Sequence, residues 1–362
     1  MTERGLQTSA LALIGAGLVA LYALALADPA VGTTAVAPGA AIGTAADVPA
    51  RPPVAAALRM PPTPEPQPRA APSAPVQVST LALPIRPRPA PRYIDVAAAE
   101  TLTALHDEIG FSLAAVRQGE APVPRLLVAD LPDDFNSGDD VKARKAAFLR
   151  TTLPLILAAN ERLLADRREL DRLVTKQVNG GRLDWTERRW LARLADRFET
   201  TPDDLVELQR RVDAVSPAVA LAQGAEESGW GRSRFARDGN ALFGQRTWTA
   251  GAGIVPKERE NGARYEVKAF TFLADSARAY AMNLNTHPAY AEYRRLRAAA
   301  RAAGRVPDAT ALAATLDRYS ERRDEYVATI QTILRANKFD QFDTAQLSRA
   351  TPAVQVAQRP GR

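Results

Sequence analysis

AEESGWGRSRFARDGNALFGQ, residues 225–245, is the most informative stretch of this sequence. It places two glutamates, Glu226 and Glu227, directly before a Ser-Gly-Trp-Gly segment, and an Asn-Ala-Leu-Phe-Gly segment follows soon afterwards. Two acids beside a tryptophan allow two interpretations. They are either a surface charge pair at a helix end, or one of them is a general acid in a partly apolar cleft.

The residues before this stretch predict a buried helix that ends at the two glutamates. Ser216 and Pro217 have the form of an N-cap and a first helical residue, and the residues from there to Ala225 are nearly all small or apolar. Gly229 can close the helix in the left-handed conformation. Burial and the negative end of the helix dipole both raise the pKa of a carboxyl group there. A carboxyl group that stays protonated near neutral pH is what glycosidic bond cleavage needs.

Glu227 is our candidate for this acid. Trp230 and Phe243 follow it closely and offer aromatic surface for a sugar subsite. Glu226 is instead expected to form a surface ion pair with one of two nearby arginines, Arg232 or Arg234.

Composition limits the chemistry available elsewhere in the chain. The 362 residues include no cysteine and two histidines, His106 and His287. This excludes thiol catalysis and cysteine zinc sites and argues against a histidine metal centre, so acid–base catalysis would depend on Asp and Glu. No metal or organic cofactor is implied by the sequence. The net charge of +6 suits an anionic partner, but no nucleic-acid-binding motif is present and nucleic acid is not expected.

The first 92 residues have the composition of a targeting segment and a linker. Residues 10–27 carry no charge and end in a small-x-small tripeptide before Asp28. We predict export to the periplasm, with residues 1–27 serving either as a cleaved signal peptide or as an inner-membrane anchor. Residues 28–92 are rich in Pro and Ala and predict a disordered linker, because proline fixes φ and removes a backbone donor.

Hydrophobic periodicity predicts helices from residue 139 onward. One helix carries Phe148, Leu153 and Ile156 near a 3.6-residue period, and Pro154 is expected to start or kink it. Residues 93–138 predict a weakly structured lead-in with a short amphipathic stretch around residues 96–116, and residues 341–362 predict a disordered tail.

The central stretch resembles the glucosaminidase domains of glycoside hydrolase family 73, in particular the bacterial Bax-type branch. That family's pattern is roughly A-Q-x-A-x-E-S-x-W-G-x-S-x-x-A followed by N-x-L-F-G, and it is matched from Ala222 to Gly244. The segments YAMNLNTHPAYAEYRRLR and LDRYSERRDEYVATIQTIL extend the resemblance over about residues 140–340.

The resemblance implies an α+β, predominantly α-helical, lysozyme-like domain with a small β element, here over residues 139–340. It also implies hydrolysis of β-1,4 bonds after N-acetylglucosamine in the glycan strands of peptidoglycan. Glu227 is then the general acid, and Glu226 occupies a variable position. A lytic transglycosylase or muramidase on the same fold is one alternative, and a non-catalytic peptidoglycan-binding protein is another.

The second catalytic group is less well defined by the resemblance. Family members often carry another glutamate downstream of Phe-Gly, where this chain offers Glu258, Glu260 and Glu266, but the common Thr-x-Glu-Tyr pattern is absent. We predict Glu258. If the two catalytic carboxyl groups lie about 6.5–9.5 Å apart, direct attack by water with inversion is indicated. A separation of about 5 Å indicates a covalent glycosyl-enzyme intermediate. The N-acetyl group of the substrate is an alternative nucleophile.

Two further residues are predicted to bind substrate. The Asn-Thr-His-Pro-Ala-Tyr segment resembles the family's Asn-Pro-x-Tyr element, whose tyrosine lies beside the cleft, so Tyr290 is expected to contact a sugar. Asn240 is expected either to bind an N-acetyl group or to hold its own loop.

Overall fold

The computed structural model describes residues 93–135, 137–257, 259 and 263–352. The predicted signal or anchor (1–27) and the predicted linker (28–92) lie outside the described residues, as does the chain beyond residue 352. The described residues belong to one compact unit. Within this described part of the chain, no helix combines the length and the apolar character needed to cross a membrane.

The described residues are mostly helical, with two small sheets. In chain order they form β1 (Tyr93–Ile94), α1 (Ala99–Glu108), α2 (Leu113–Gln118), β2 (Leu127–Val128), α3 (Val141–Val178), α4 (Trp185–Arg197), α5 (Leu205–Arg211), α6 (Pro217–Ser228), α7 (Arg234–Gly239), β3 (Arg246–Thr247), β4 (Gly253–Ile254), β5 (Glu266–Lys268), α8 (Leu273–Thr286), a 3₁₀ turn (Pro288–Tyr290), α9 (Ala291–Ala302), α10 (Ala309–Ala313), α11 (Asp324–Ala336) and a second 3₁₀ turn (Phe339–Phe342). The prediction of a predominantly helical α+β fold with a small β element is confirmed.

Helix α6 is the centre of the domain. The hydroxyl of Ser216 accepts a hydrogen bond from the N–H of Val219 at its start, and Gly229 ends it in the left-handed conformation, as predicted. All residues from Pro217 to Ala225 are buried, because α6 packs against α3, α11 and the second 3₁₀ turn. Small side chains allow this close approach: a Cβ atom on Gly224 would lie 3.2 Å from the Phe243 ring.

Helix α3 runs through Pro154, so the helix does not start at this proline. The helix is continuous from Val141 to Val178, and Pro154 lies inside it and is buried. Proline removes one backbone hydrogen bond from the helix. Burial of the surrounding apolar turn, residues 153–157 among them, offsets that loss.

The region expected to be a weakly structured lead-in is folded, which corrects the prediction for residues 93–138. It contains α1, α2 and a parallel pairing of β1 with β2, in which Tyr93 lies opposite Leu127. Part of the expected disordered tail is ordered with it, since Val123 pairs with Leu347 in a β-bridge and both side chains are buried. These segments are stabilised by contacts that are distant in sequence, which local periodicity does not reveal.

The second sheet is antiparallel, with the strand order β3-β5-β4. Val267 in β5 lies opposite Arg246 in β3 and Ile254 in β4. The carboxylate of Glu266 accepts the backbone N–H groups of Gly251 and Gly253, at 3.0 and 2.9 Å. This sheet is the small β element that the resemblance implies, and it directly follows the Asn-Ala-Leu-Phe-Gly segment.

Candidate active site

The carboxyl group of Glu227 is the centre of the site. Glu227 lies in the last turn of α6 and is partly buried, and its Oε1 atom accepts a hydrogen bond of 2.9 Å from the hydroxyl of Tyr326. Gly244 comes so close that a Cβ atom there would lie 2.6 Å from Oε2 of Glu227. Glycine is therefore required at position 244, where φ is also +58°.

Burial raises the pKa of Glu227 from its ordinary value of 4.5 to about 7. The hydrogen bond from Tyr326 lowers this pKa, the negative charge of Glu226 raises it, and the positive charges of Arg322 and Arg246 lower it. The balance favours a carboxyl group that is protonated in a large fraction of molecules at neutral pH, as the sequence predicts for this helix end.

A chain of three hydrogen bonds orients the Glu227 carboxyl group. The Tyr280 hydroxyl donates to Oε1 of Gln223 at 2.8 Å, Nε2 of Gln223 donates to the Tyr326 hydroxyl at 2.8 Å, and that hydroxyl donates to Glu227. Tyr280, Gln223 and Tyr326 are all at most 1% exposed. Because each hydroxyl has one proton, the chain has one direction and ends with a donor aimed at Glu227.

Further tyrosines form a wall of phenol rings near this carboxyl group. The Tyr319 ring stacks on Tyr326 with centroids 5.6 Å apart, and its hydroxyl donates to the carbonyl oxygen of Phe243 at 2.9 Å. Tyr290 tilts against Tyr319 at 6.1 Å. Burial raises the pKa of Tyr290 to about 12, and the charge of Glu227 acts in the same direction. Tyr290 therefore lies near the acid, as the resemblance implies.

Four of these residues received no role from the sequence. Gln223 stands in the recognised motif, Tyr280 begins the first similar segment, YAMNLNTHPAYAEYRRLR, and Tyr319 and Tyr326 stand in the second, LDRYSERRDEYVATIQTIL. Their position in segments that resemble the family was the sequence signal that could have identified them as site residues. Their function depends on a contact across 99 positions of the chain, between Tyr326 and Glu227, which spacing alone does not give.

Glu226 forms the expected ion pair, but with a different arginine. Its partner is Arg322, at 2.6 Å, rather than Arg232 or Arg234. Arg234 instead donates to the carbonyl oxygen of Val255. The predicted arginines are near in sequence, whereas packing of the segment before α11 against the end of α6 brings Arg322 to Glu226.

The two aromatic residues predicted to line a sugar subsite pack against other rings. Phe243 is 1% exposed and stacks on Tyr280 at 4.2 Å, so its ring belongs to the core and the subsite prediction for it is corrected. The Trp230 ring makes edge contacts with Phe148 and Phe339, at 5.5 and 6.2 Å. Trp230 is partly exposed, and its prediction as a sugar contact stays a prediction.

Asn240 holds its loop, which is the second of its two predicted roles. It ends α7 in the left-handed conformation with φ of 54°. Its side-chain amide donates to Asp130 at 2.6 Å and to the carbonyl oxygens of Phe270 and Thr271 at 3.2 and 3.3 Å. Asn240 is 6% exposed, and all three contacts are made by its Nδ2 atom, while its Oδ1 atom is buried without a hydrogen-bond partner among the described residues.

The predicted second catalytic residue, Glu258, lies outside the described residues, and so does Glu260. Glu266 is described, and its carboxylate is already bound to the N–H groups of Gly251 and Gly253. Its position in the sheet is therefore structural. Among the described residues there is no group of three His, Asp or Glu side chains that could hold a metal ion.

A helical domain with a partly buried, high-pKa carboxyl group at the end of its central helix, beside a small antiparallel sheet, has the architecture of lysozyme-like domains. Comparison with known proteins gives the family. Residues 203–339, which include Glu227, Tyr290, Tyr319 and Tyr326, match the family model described as mannosyl-glycoprotein endo-beta-N-acetylglucosaminidase. The chain is also similar to Protein bax of Escherichia coli (strain K12).

The identity to this relative is 36% over 191 residues, which cover 51% of this chain and 66% of the relative. No solved structure matches the chain. The chain carries a Bax-type glucosaminidase domain, and the matched residues 203–339 include Gly244, Arg322 and Tyr326, which act on the Glu227 carboxyl group.

Proposed function

We propose that this protein is a peptidoglycan hydrolase that cleaves the β-1,4 glycosidic bond after N-acetylglucosamine, with Glu227 as the general acid. The observation that carries the proposal is the state of this carboxyl group. Burial raises its pKa to about 7, and Tyr326 donates a hydrogen bond to it at 2.9 Å. The match to a glucosaminidase family supports a glycosidase acting on a glycan.

In the proposed reaction, protonated Glu227 donates its proton to the glycosidic oxygen as the bond to the anomeric carbon breaks. The leaving sugar takes that proton, and the positive charge that develops on the remaining sugar is quenched by a nucleophile. Glu227 becomes a carboxylate in this step. The hydroxyl of Tyr326 already points at its Oε1 atom and stabilises the new negative charge.

The nucleophilic half of the reaction is proposed to use Glu258 and water, with the N-acetyl group of the substrate as the alternative. Glu258→Gln separates the two, since it abolishes the first route and spares the second. The configuration of the product at its new reducing end, measured by NMR immediately after cleavage, gives the same distinction: direct attack by water inverts it, and attack by the N-acetyl group retains it.

Tyr290 is proposed to contact the sugar that carries the reacting bond. Its support is its position against Tyr319 and the electrostatic interaction of its hydroxyl with Glu227. Tyr290→Phe keeps the ring and removes the hydroxyl. A hydrogen bond made only in the transition state predicts a fall in kcat with little change in KM.

The test of the proposed activity is mass spectrometry of purified peptidoglycan after digestion by the wild-type chain and by Glu227→Gln. Reducing N-acetylglucosamine ends that are absent with the variant support the proposal. Anhydro-muramyl ends would identify a lytic transglycosylase, and reducing muramic acid ends a muramidase. Binding to the sacculus without cleavage would identify a non-catalytic glycan-binding protein.

Export to the periplasm is part of the proposal, because the glycan lies outside the cytoplasmic membrane. Its support is the uncharged run of residues 10–27 followed by the Pro- and Ala-rich segment. Fractionation of cells with N-terminal sequencing of the product tests it. A mature chain that starts at Asp28 indicates a cleaved signal, and an intact chain in the membrane fraction indicates an anchor.

A further inference from the structure

The small sheet beside Glu227 carries a tryptophan that the proposed reaction does not use. Trp248 directly follows β3, and 73% of its surface is exposed. A single exposed aromatic residue is not by itself a binding site, because scattered apolar residues are normal on protein surfaces. Its surroundings decide whether it has a ligand.

The strand pairing seen up to Thr247, when continued by one residue, brings Trp248 to two other side chains suited to binding. Arg246 lies opposite Val267 and Thr247 lies opposite Glu266 in the antiparallel register. Extending this register by one residue places Trp248 opposite Tyr265, on the same face of the sheet as Arg246. The guanidinium group of Arg246 lies 4.3 Å from the centre of the Tyr265 ring. We refer to Arg246, Trp248 and Tyr265 as the hairpin aromatic face.

The turn after Trp248 is held in place before any ligand arrives. The Glu266 carboxylate binds the N–H groups of Gly251 and Gly253, and the Thr247 hydroxyl accepts the N–H of Thr249 at 3.3 Å. A Cβ atom on Gly253 would lie 2.2 Å from the carbonyl oxygen of Val267, so the strands approach as closely as glycine allows. A preordered face loses less entropy when it binds.

The hairpin aromatic face is continuous with the site around Glu227. Gly244 contacts the Glu227 carboxyl group, and the charge of Arg246 acts on the pKa of Glu227. Trp248 lies two residues beyond Arg246. At the rise of an extended strand, it lies roughly 13 Å along the chain from Gly244. A glycan strand whose scissile bond lies at Glu227 extends beyond this residue, and the distance to Trp248 accommodates a few of its sugar residues.

We propose that the hairpin aromatic face is a second sugar-binding subsite, in which Trp248 stacks on a pyranose ring of the same glycan strand, several residues from the bond that is cleaved. A pyranose ring presents C–H groups on its faces and hydroxyl groups at its edge. The flat indole suits the faces. The Arg246 guanidinium group, whose Nη2 pairs with Glu321 at 3.0 Å, has further N–H donors for the hydroxyl groups. The inference rests on the proposed function, because it concerns the same glycan strand.

The test compares the full-length wild type with Trp248→Ala on soluble glycan oligosaccharides of increasing length. We expect the variant to raise KM for long oligosaccharides about tenfold, a change of 1.4 kcal/mol, and to leave kcat and the KM for the shortest cleaved oligosaccharide unchanged. Trp248→Tyr keeps an aromatic ring and is expected to retain wild-type KM. Trp185→Ala is the matched control, since Trp185 is also exposed (57%) beside an arginine, on α4.

An unchanged KM at every length overturns the inference. An equal rise at every length also overturns it, because it would indicate damage to the site at Glu227. Should the wild type cleave no oligosaccharide, the proposed function fails, and binding to sacculi decides the subsite independently. Glu227→Gln is then compared with the double variant Glu227→Gln/Trp248→Ala: a roughly tenfold weaker retention of the double variant supports the subsite, and equal retention refutes it.

Discussion

Replacing Tyr326 by phenylalanine tests how the fold sets the acidity of Glu227. The variant removes one hydroxyl and keeps the ring that stacks on Tyr319. The lost hydrogen bond, 2.9 Å long, favours the ionised form of Glu227, so its removal raises the pKa of that carboxyl group.

The size of the effect follows from the strength of such a bond. A hydrogen bond to a charged group contributes about 1.5–3 kcal/mol, and one pKa unit corresponds to about 1.36 kcal/mol, so the pKa should rise by roughly one to two units. Since the wild-type value is about 7, a general acid in the variant stays protonated well into the alkaline range. The alkaline limb of the pH–rate profile should move to higher pH by the same number of units.

The assay is kcat/KM against pH for a soluble oligosaccharide, with Tyr293→Phe as the control. Tyr293 is also a fully buried tyrosine, but its hydroxyl accepts the N–H of Ser216 at the opposite end of α6. The control should lose stability without moving the alkaline limb. An alkaline limb that stays in place, or moves to lower pH, in Tyr326→Phe would refute the assignment of this hydrogen bond to the acid.

Three further predictions concern the same region. Glu227→Gln should gain stability over the wild type at pH 8 but not at pH 4, by at most about 3 kcal/mol. The pKa of Glu227 is raised in the folded state, so the free energy of unfolding of the wild type falls as the pH rises from about 4.5 to 7. Thermal unfolding of both proteins at both pH values checks this. Gly244→Ala should lower kcat sharply, because its Cβ atom would lie 2.6 Å from Glu227 Oε2, and a wild-type kcat would contradict this close approach. Because φ at this position is +58°, the variant should also lose about 1–2 kcal/mol in the free energy of unfolding measured with denaturant. Glu266→Gln should cost about 1–3 kcal/mol, since an amide cannot accept both glycine N–H groups as the carboxylate does, and an unchanged unfolding midpoint would count against a structural role for Glu266.

Several features of the site could be read from local sequence. The N-cap at Ser216, the small apolar residues of α6 and the closing Gly229 predicted a buried helix that ends at Glu227, and the structure has it. The raised pKa followed from the same pattern, because burial acts on any carboxyl group placed at that helix end. Capping and periodicity act over a few residues, so they leave a visible pattern in the chain.

Other features depend on contacts between distant parts of the chain. The partner of Glu226 is Arg322, 96 positions away, and the donor to Glu227 is Tyr326, 99 positions away. Phe243 was expected at a sugar subsite, but its ring is buried against Tyr280. The sequence pattern near a catalytic motif is the same for an aromatic residue in the core and for one in a cleft. The stacking of Phe243 on Tyr280, which lies on α8, decides between them.

The sequence by itself therefore determined the central helix, the identity of its terminal acid and the helical class of the domain, because these follow from short-range hydrogen bonding and from which residues are apolar. The tertiary structure decided which groups surround the acid. It also showed that residues 93–128 fold with the domain and that the Arg246 guanidinium group lies over the Tyr265 ring. Those facts arise from strand register and from the meeting of helices far apart in the chain, which no local pattern encodes.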